Sequence, residues 1–293
     1  MTISVYLPWV AAAVLALVTP WLSRTLSPRV AVTALGASAA VIAAASTWAL
    51  VLLSAALLEH TPPVAERTTA RTVPVLVSLL AIASLAVLSR RAARVTSVRN
   101  HTTHTLHHIC RLCPGAGELA VTQDLAVYAF AVPGRPGRIL VSSGLLTSST
   151  PAERRVVLAH ERSHLHRGHH RLRAAVDLAA AVNPFLIPTR DAVAYLLERA
   201  ADEDAAAAVG SRAAAARALT EVVLRTSADR SSNTALSFHR HAVLQRVDAL
   251  RRPPTRSLTT AAALCALGAT VTLLAVVDAT ASLGRVVAVV TGI

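Results

Sequence analysis

The sequence predicts a mostly α-helical membrane protein, with four transmembrane helices joined to a cytoplasmic α+β domain that contains a small sheet. Three observations predict this class. Four stretches (1–23, 30–58, 72–89 and 257–277) carry no charged residue, and each reaches or exceeds the length of about 18 residues that crosses a hydrocarbon core. Arginines cluster beside these stretches. The segment between the third and fourth, 90–256, alternates strand-like and helix-like patterns and is long enough for one compact domain. Composition agrees: 54% of residues are hydrophobic and only 15% charged, against roughly 25% charged in soluble domains. Buried core helices of a large soluble protein are the competing reading of such apolar runs.

Taken in order, residues 1–89 are expected to hold three spans, at about 4–23, 31–58 and 72–89. The first is not a secretory signal, because no basic residue precedes "VYLPWVAAAVLALV"; it reads as a retained helix. Every basic residue of the chain is an arginine, and their placement sets the orientation. Arg24 and Arg29 lie between the first two spans with no acid nearby, whereas the next loop, 59–71, mixes Glu59 and Glu66 with Arg67 and Arg71. "RRAARVTSVR" follows the third span and "RRPPTR" precedes the fourth. The positive-inside bias therefore puts the first loop and 90–256 in the cytoplasm, with both the N-terminus and the tail of 257–293 outside. The expected location is a plasma membrane, crossed several times.

The net charge of +13 raises nucleic acid as a partner. The arginines sit beside membrane spans, however, and no nucleic-acid-binding motif is present, so attraction to anionic lipid accounts for them and no direct nucleic-acid contact is expected. Three cysteines, Cys110, Cys113 and Cys265, make no disulfide framework and fit a reducing compartment.

Within 90–256, "ELAVTQDLAVYAFAV" and "RILVSS" read as two strands joined at "PGRPG". Helical signals follow. Thr150, Pro151 and Glu153 form a capping box with proline at the first helical position, which opens a helix through "AERRVVLAHERSHLHR". Further helices are expected over 171–182, ending before Asn183-Pro184; from about Arg190 to Gly210; over 211–227; and through "HAVLQRVDALRR".

The capped helix carries His160-Glu161-Arg162-Ser163-His164, an HExxH pattern. Residues four apart share a helix face, so both imidazoles can address one ion. Neutral imidazole suits Zn²⁺, and the glutamate beside the first histidine can take a proton from an attacking water. A chain of this composition shows HExxH by chance about once in 75, so a third ligand is needed. Glu198, 34 residues beyond His164, supplies one. Three protein ligands leave a fourth position open, as in catalytic zinc sites. Asp202, one turn later, can accept the second N–H of a ligating imidazole. Because Glu203 and Asp204 follow at once, a solvated acidic face is the competing reading of this segment.

HExxH followed by ExxxD is the gluzincin pattern, and its position between membrane spans resembles the BlaR/MecR-type antirepressor metallopeptidases. "VNPF" at Val182–Phe185 is similar to an Asn-Pro-Phe segment of that family, and related motifs occur in HtpX-type membrane proteases. "YAFAVPG", with "ILVSSGLL" after it, is similar to their substrate-side strand pair, and "QRVDAL" to a downstream Arg-x-x-x-Leu helix. The resemblance covers about 90–293 by motif and the N-terminal spans by layout only. It implies a zinc endopeptidase holding one Zn²⁺ per chain through His160, His164 and Glu198. Glu161 would be the base and Asp202 a partner of the ligands. Tyr128, Ala129, Phe130 and Ala131 would form the strand on which an extended protein or peptide substrate lies. Tyr128 replaces the family's asparagine. Only about fifteen residues follow the fourth span, with no external penicillin-binding domain among them, so direct β-lactam sensing is not expected.

His239, His241 or Arg246 can supply the cation that stabilises a tetrahedral oxyanion, and the sequence does not choose among them. His166, His169 and His170 read as surface groups or as partners of the ligands. His101, His104, His107 and His108, leading into Cys110 and Cys113, are compatible with a second metal but lack a second ligand pair. Three functions follow for comparison. The leading one is a membrane endopeptidase acting on a cytoplasmic repressor or on misfolded membrane protein. A transporter would carry ionisable or helix-breaking positions in its spans; these spans are charge-free, although Pro8 and Pro20 interrupt the first. A zinc-binding scaffold without turnover would have no use for Glu161.

Overall fold

The computed structural model describes residues 3–60, 73–113, 117–228, 234–252 and 259–291. Parts of two arginine-bearing segments used above, 61–72 and 253–258, lie outside the described residues. After a 3-10 turn at Ile3–Tyr6, α1 (Leu7–Thr25) and α2 (Pro28–Ala55) form an antiparallel pair, with Pro28 at the first position of α2. The third helix, α3 (Val75–Leu112), continues far beyond its apolar half. Its 38 residues make a rod of about 57 Å, at about 1.5 Å per residue, so Arg90 marks a change of composition and not the end of a helix. Ser4–Thr25, Pro28–Ala55 and Val75–Leu112 are long and apolar enough to cross a membrane. The expected fourth span, 257–277, overlaps a last helix, Thr259–Thr291, from residue 259 onward, and the described apolar stretch of that helix is Cys265–Ala281.

Three short strands follow α3: β1 (Leu119–Thr122), β2 (Ala129–Val132) and β3 (Arg138–Ser142), in the sheet order β1-β3-β2. This corrects the expectation of a two-stranded pair. The first apolar run is interrupted at Asp124, whose carboxylate accepts from the Ala126 amide while its carbonyl accepts from Gly144 and Ser143. That turn splits the run into β1, parallel to β3, and β2, antiparallel to it. Gly144 permits the turn: a Cβ there would lie 2.1 Å from the Leu125 carbonyl oxygen.

The chain then becomes helical, through α4 (Ser143–Ser148), α5 (Pro151–His166), α6 (His169–Val182), a 3-10 turn at Pro184–Leu186, α7 (Ile187–Val209), α8 (Arg212–Ala228) and α9 (Thr234–Arg251). The Thr259–Thr291 helix is α10. α6 and α7 pack directly on the N-terminal helices. Ala12, Leu15, Leu22, Leu35 and Ile42 share one core with Val176, Leu186, Val193 and Leu196. Polar contacts pin the same junction: Asn183 donates to the Ser46 hydroxyl at 2.8 Å, and the Thr19 and Thr189 hydroxyls meet at 3.1 Å, all of them buried. A second core joins α5 and α7 to α8 and α9 through Val156, Ala205, Ala215 and Leu250. A third sets Ile139, Val141 and Leu145 against Val157 and Leu158, which seats the sheet on α5.

Candidate active site

The site is built on α5, which starts at the expected cap. Thr150 accepts from the Glu153 amide at 3.3 Å, and the Glu153 carboxylate accepts from the Thr150 amide at 2.8 Å. Two turns further on, the Nε2 atoms of His160 and His164 stand 3.1 Å apart. The Glu198 carboxylate, carried by α7, lies 3.5 Å from His160 Nε2 and 3.6 Å from His164 Nε2. A tetrahedral zinc with bonds of about 2.0–2.2 Å places its ligand atoms about 3.3–3.5 Å apart. The three spacings, 3.1, 3.5 and 3.6 Å, lie within a few tenths of an ångström of that figure, and the donor set is of the kind zinc takes. Among the described residues this is the group whose atoms could hold a metal ion.

Around these three, the side chains form two supports. His160 Nδ1 is 3.0 Å from Asp202 Oδ1, and Arg246 grips the same carboxylate through Nε and Nη2, both at 2.7 Å. Arg246 Nη1 also lies 3.2 Å from Glu198. Arg246, one of the three candidates for an oxyanion cation, has its guanidinium paired with two carboxylates. On the other side, His164 Nδ1 faces His169 Nδ1 at 3.0 Å. His169 is buried, whereas His166 is exposed and His170 half-buried, its carbonyl accepting from Arg99. His239 lies on α9, but its side chain, like that of His241, is outside the described residues.

Electrostatics follow from burial and pairing. Burial opposes charge on His160, but hydrogen bonds to Asp202 and Glu198 outweigh it and push its pKa up to about 10. Burial drives His164 down to about 4 and Glu161 up to about 7, the latter against the pull of His160. For Glu198 and Asp202 burial acts upward, and the neighbouring His160 and Arg246 still hold both below the usual carboxylate range.

Glu161 points at the sheet, where its carboxylate accepts from the Ala131 amide at 2.8 Å. No local pattern of residues signals this contact, because it depends on how β2 crosses α5. β2 is an edge strand, and a cleft of about 430 Å³ opens between Ala129–Ala131 and His160, Glu161, His164 and Glu198. Tyr128 lies just before β2; its hydroxyl meets Thr122 at 2.9 Å and its ring stacks on Phe130. Of the His/Cys cluster, His107 meets the Pro133 carbonyl and Cys110 is buried against Ala120 and Leu140, whereas His101, His104 and His108 are exposed.

A helix presenting two histidines and a glutamate, a second helix presenting the third candidate ligand, and an open strand beside them define a metallopeptidase-like centre. Residues 112–253 match the family described as Peptidase family M48, a stretch that contains all of these elements. No curated protein and no solved structure matches the chain. The family match, together with the apolar helices, supports a membrane-type zinc metallopeptidase family acting on protein or peptide substrates.

Proposed function

We propose that this protein is a membrane-embedded, zinc-dependent endopeptidase with a cytoplasmic active site, and that its substrate is a cytoplasmic protein. The observation that carries the reading is the convergence of His160, His164 and Glu198 at zinc-like spacing, with Glu161 in the same cleft and against the edge strand. His160, His164 and Glu198 hold the metal, and Asp202 orients His160. When bound, zinc supplies a Lewis acid that polarises the scissile carbonyl and makes water a better nucleophile. Glu161 accepts the proton of the attacking water and delivers it to the leaving amine nitrogen. Ladder alternation turns the backbone groups of Ala129 and the carbonyl of Ala131 toward the open edge, the Ala131 amide being held by Glu161, while Tyr128 already bonds to Ser142 of β3. An extended substrate adds there as a further strand.

The resemblance to BlaR/MecR-type proteins supports a transcriptional repressor as the substrate; that to HtpX-type proteases supports misfolded membrane protein. A neighbouring reading frame encoding a small helix-turn-helix repressor would favour the first. The decisive comparison uses Glu161→Gln and His160→Ala. The Gln variant should keep about one zinc per chain and lose about 10²–10⁴-fold in cleavage, because the base is gone and the ligands are not. The Ala variant should lose both zinc and cleavage. Wild-type turnover by Glu161→Gln would sink the mechanism. Zinc binding without cleavage of either substrate class would favour the scaffold.

A further inference from the structure

α5 ends at His166, and the chain reverses through Arg167 and Gly168. Gly168 sits at φ 62°, ψ 34°, the left-handed region that favours glycine, and it starts α6 one residue later. The turn brings His169 back against the helix it has just left. His169 is only 4% exposed, and its ring meets that of His164 edge-on, with centroids 4.8 Å apart.

The nitrogen pairing determines which atom carries which proton. His164 directs Nε2 toward His160 and Glu198, so Nε2 is the atom offered to the metal. A neutral imidazole that ligates through Nε2 keeps its proton on Nδ1. That proton points at His169 Nδ1, 3.0 Å away, which must accept it and therefore carries its own proton on Nε2. The two candidate ligands are thus held by different chemistry. His160 leans on a carboxylate that is itself paired with Arg246; His164 leans on an uncharged ring.

Resting on the zinc-site reading above, we infer that His169 is a positioning residue for the metal centre: its Nδ1 lone pair fixes the tautomer and ring plane of His164 and so sets zinc affinity. It acts through His164 and is not itself one of the three candidate ligands. An imidazole acceptor adds no negative charge beside the site, so it orients His164 without raising ligand basicity as a carboxylate does.

The test uses the full chain in detergent and reads zinc dissociation constants by competition with a chromophoric chelator. His169→Phe keeps a ring and removes the acceptor. His169→Asn and His169→Asp restore an acceptor oxygen, and His166→Ala changes an exposed neighbour. His169→Phe should weaken zinc about 10–100-fold. Asn should recover most of that loss, Asp should bind at least as tightly as the wild type, and His166→Ala should bind as the wild type does. Melting of the chelator-treated proteins separates packing from positioning. If Phe, Asn and Asp all lower the apo melting temperature alike and leave zinc affinity unchanged, His169 is a packing residue and the inference is overturned. Equal loss of zinc by Phe and Asp would also overturn it, since acceptor chemistry would then be irrelevant. His160→Ala is the separate control: if it binds zinc as the wild type does, the metal-site reading itself has failed.

Discussion

Glu161 shows how a single residue takes its properties from two elements at once. α5 carries it, yet burial under β2 raises its pKa to about 7, and the Ala131 amide orients its carboxylate. Because the base must be ionised, kcat/KM should rise with pH along an acid limb. A bound cation favours the carboxylate, so that limb should lie at or below about pH 7. A pH profile of kcat/KM checks this, and a rate that falls as pH rises from 5 to 7 would contradict it. Arg246 makes the converse case. It holds Asp202 and Glu198 together, so Arg246→Met removes the guanidinium that pairs with both and leaves them only the site histidines. Breaking a buried pair in this way costs about 3–5 kcal/mol. Thermal unfolding of the metal-free chain should show a clear loss, and an unchanged melting temperature would mean that Arg246 is dispensable to the site's architecture.

At the scale of elements, Asp204 joins three of them. Its carboxylate accepts from Ser163 on α5 and from Arg167 just beyond it, both at 2.6 Å, and pairs with Arg29 at the start of α2. Burial pushes upward, but hydrogen bonds from Arg167, Ser163 and Arg29 hold its pKa at about 2. A folded-state value below the unfolded one of about 3.9 means that this contribution is present above about pH 4 and is lost as pH falls through about 2. Asp204→Asn should therefore destabilise the protein at neutral pH and flatten the stability change over that acid window. Melting curves between pH 2 and 7 read both effects. The α5 cap is a smaller matter: Thr150→Ala removes the acceptor for the Glu153 amide and should cost about 1 kcal/mol, seen as a modest drop in melting temperature.

For the whole molecule, the shared core is the main consequence. α6 and α7, which carry His169 and Glu198, bury Val176, Leu186, Val193 and Leu196 against α1 and α2. A fragment of residues 90–256 would expose that apolar face, together with Asn183 and Thr189, which have partners on the N-terminal helices. Expressed alone, it should aggregate where the full chain in detergent does not; size-exclusion chromatography decides, and a monodisperse fragment would refute the dependence. Orientation belongs at this scale too. The arginines flanking the spans lead us to expect a reporter after residue 95 to behave as cytoplasmic and one at the C-terminus as external. The reverse pattern would remove the cytoplasmic-substrate reading.

The sequence by itself determined what depends on local pattern. Apolar length announced the long helices, the Thr150–Glu153 box announced where α5 begins, and the four-residue spacing put His160 and His164 on one face. It also brought forward Glu198 and Asp202, because one turn of helix separates them. It could not determine contacts between elements far apart in the chain, since these depend on how helices pack. Tertiary structure alone decided that the first apolar run splits at Asp124, that β2 lies over Glu161, and that Arg246 holds Asp202 and Glu198. It also decided which of the extra histidines turns inward. His166, His169 and His170 look alike as letters, and only the reversal at Gly168 puts His169 against His164 and leaves His166 in solvent.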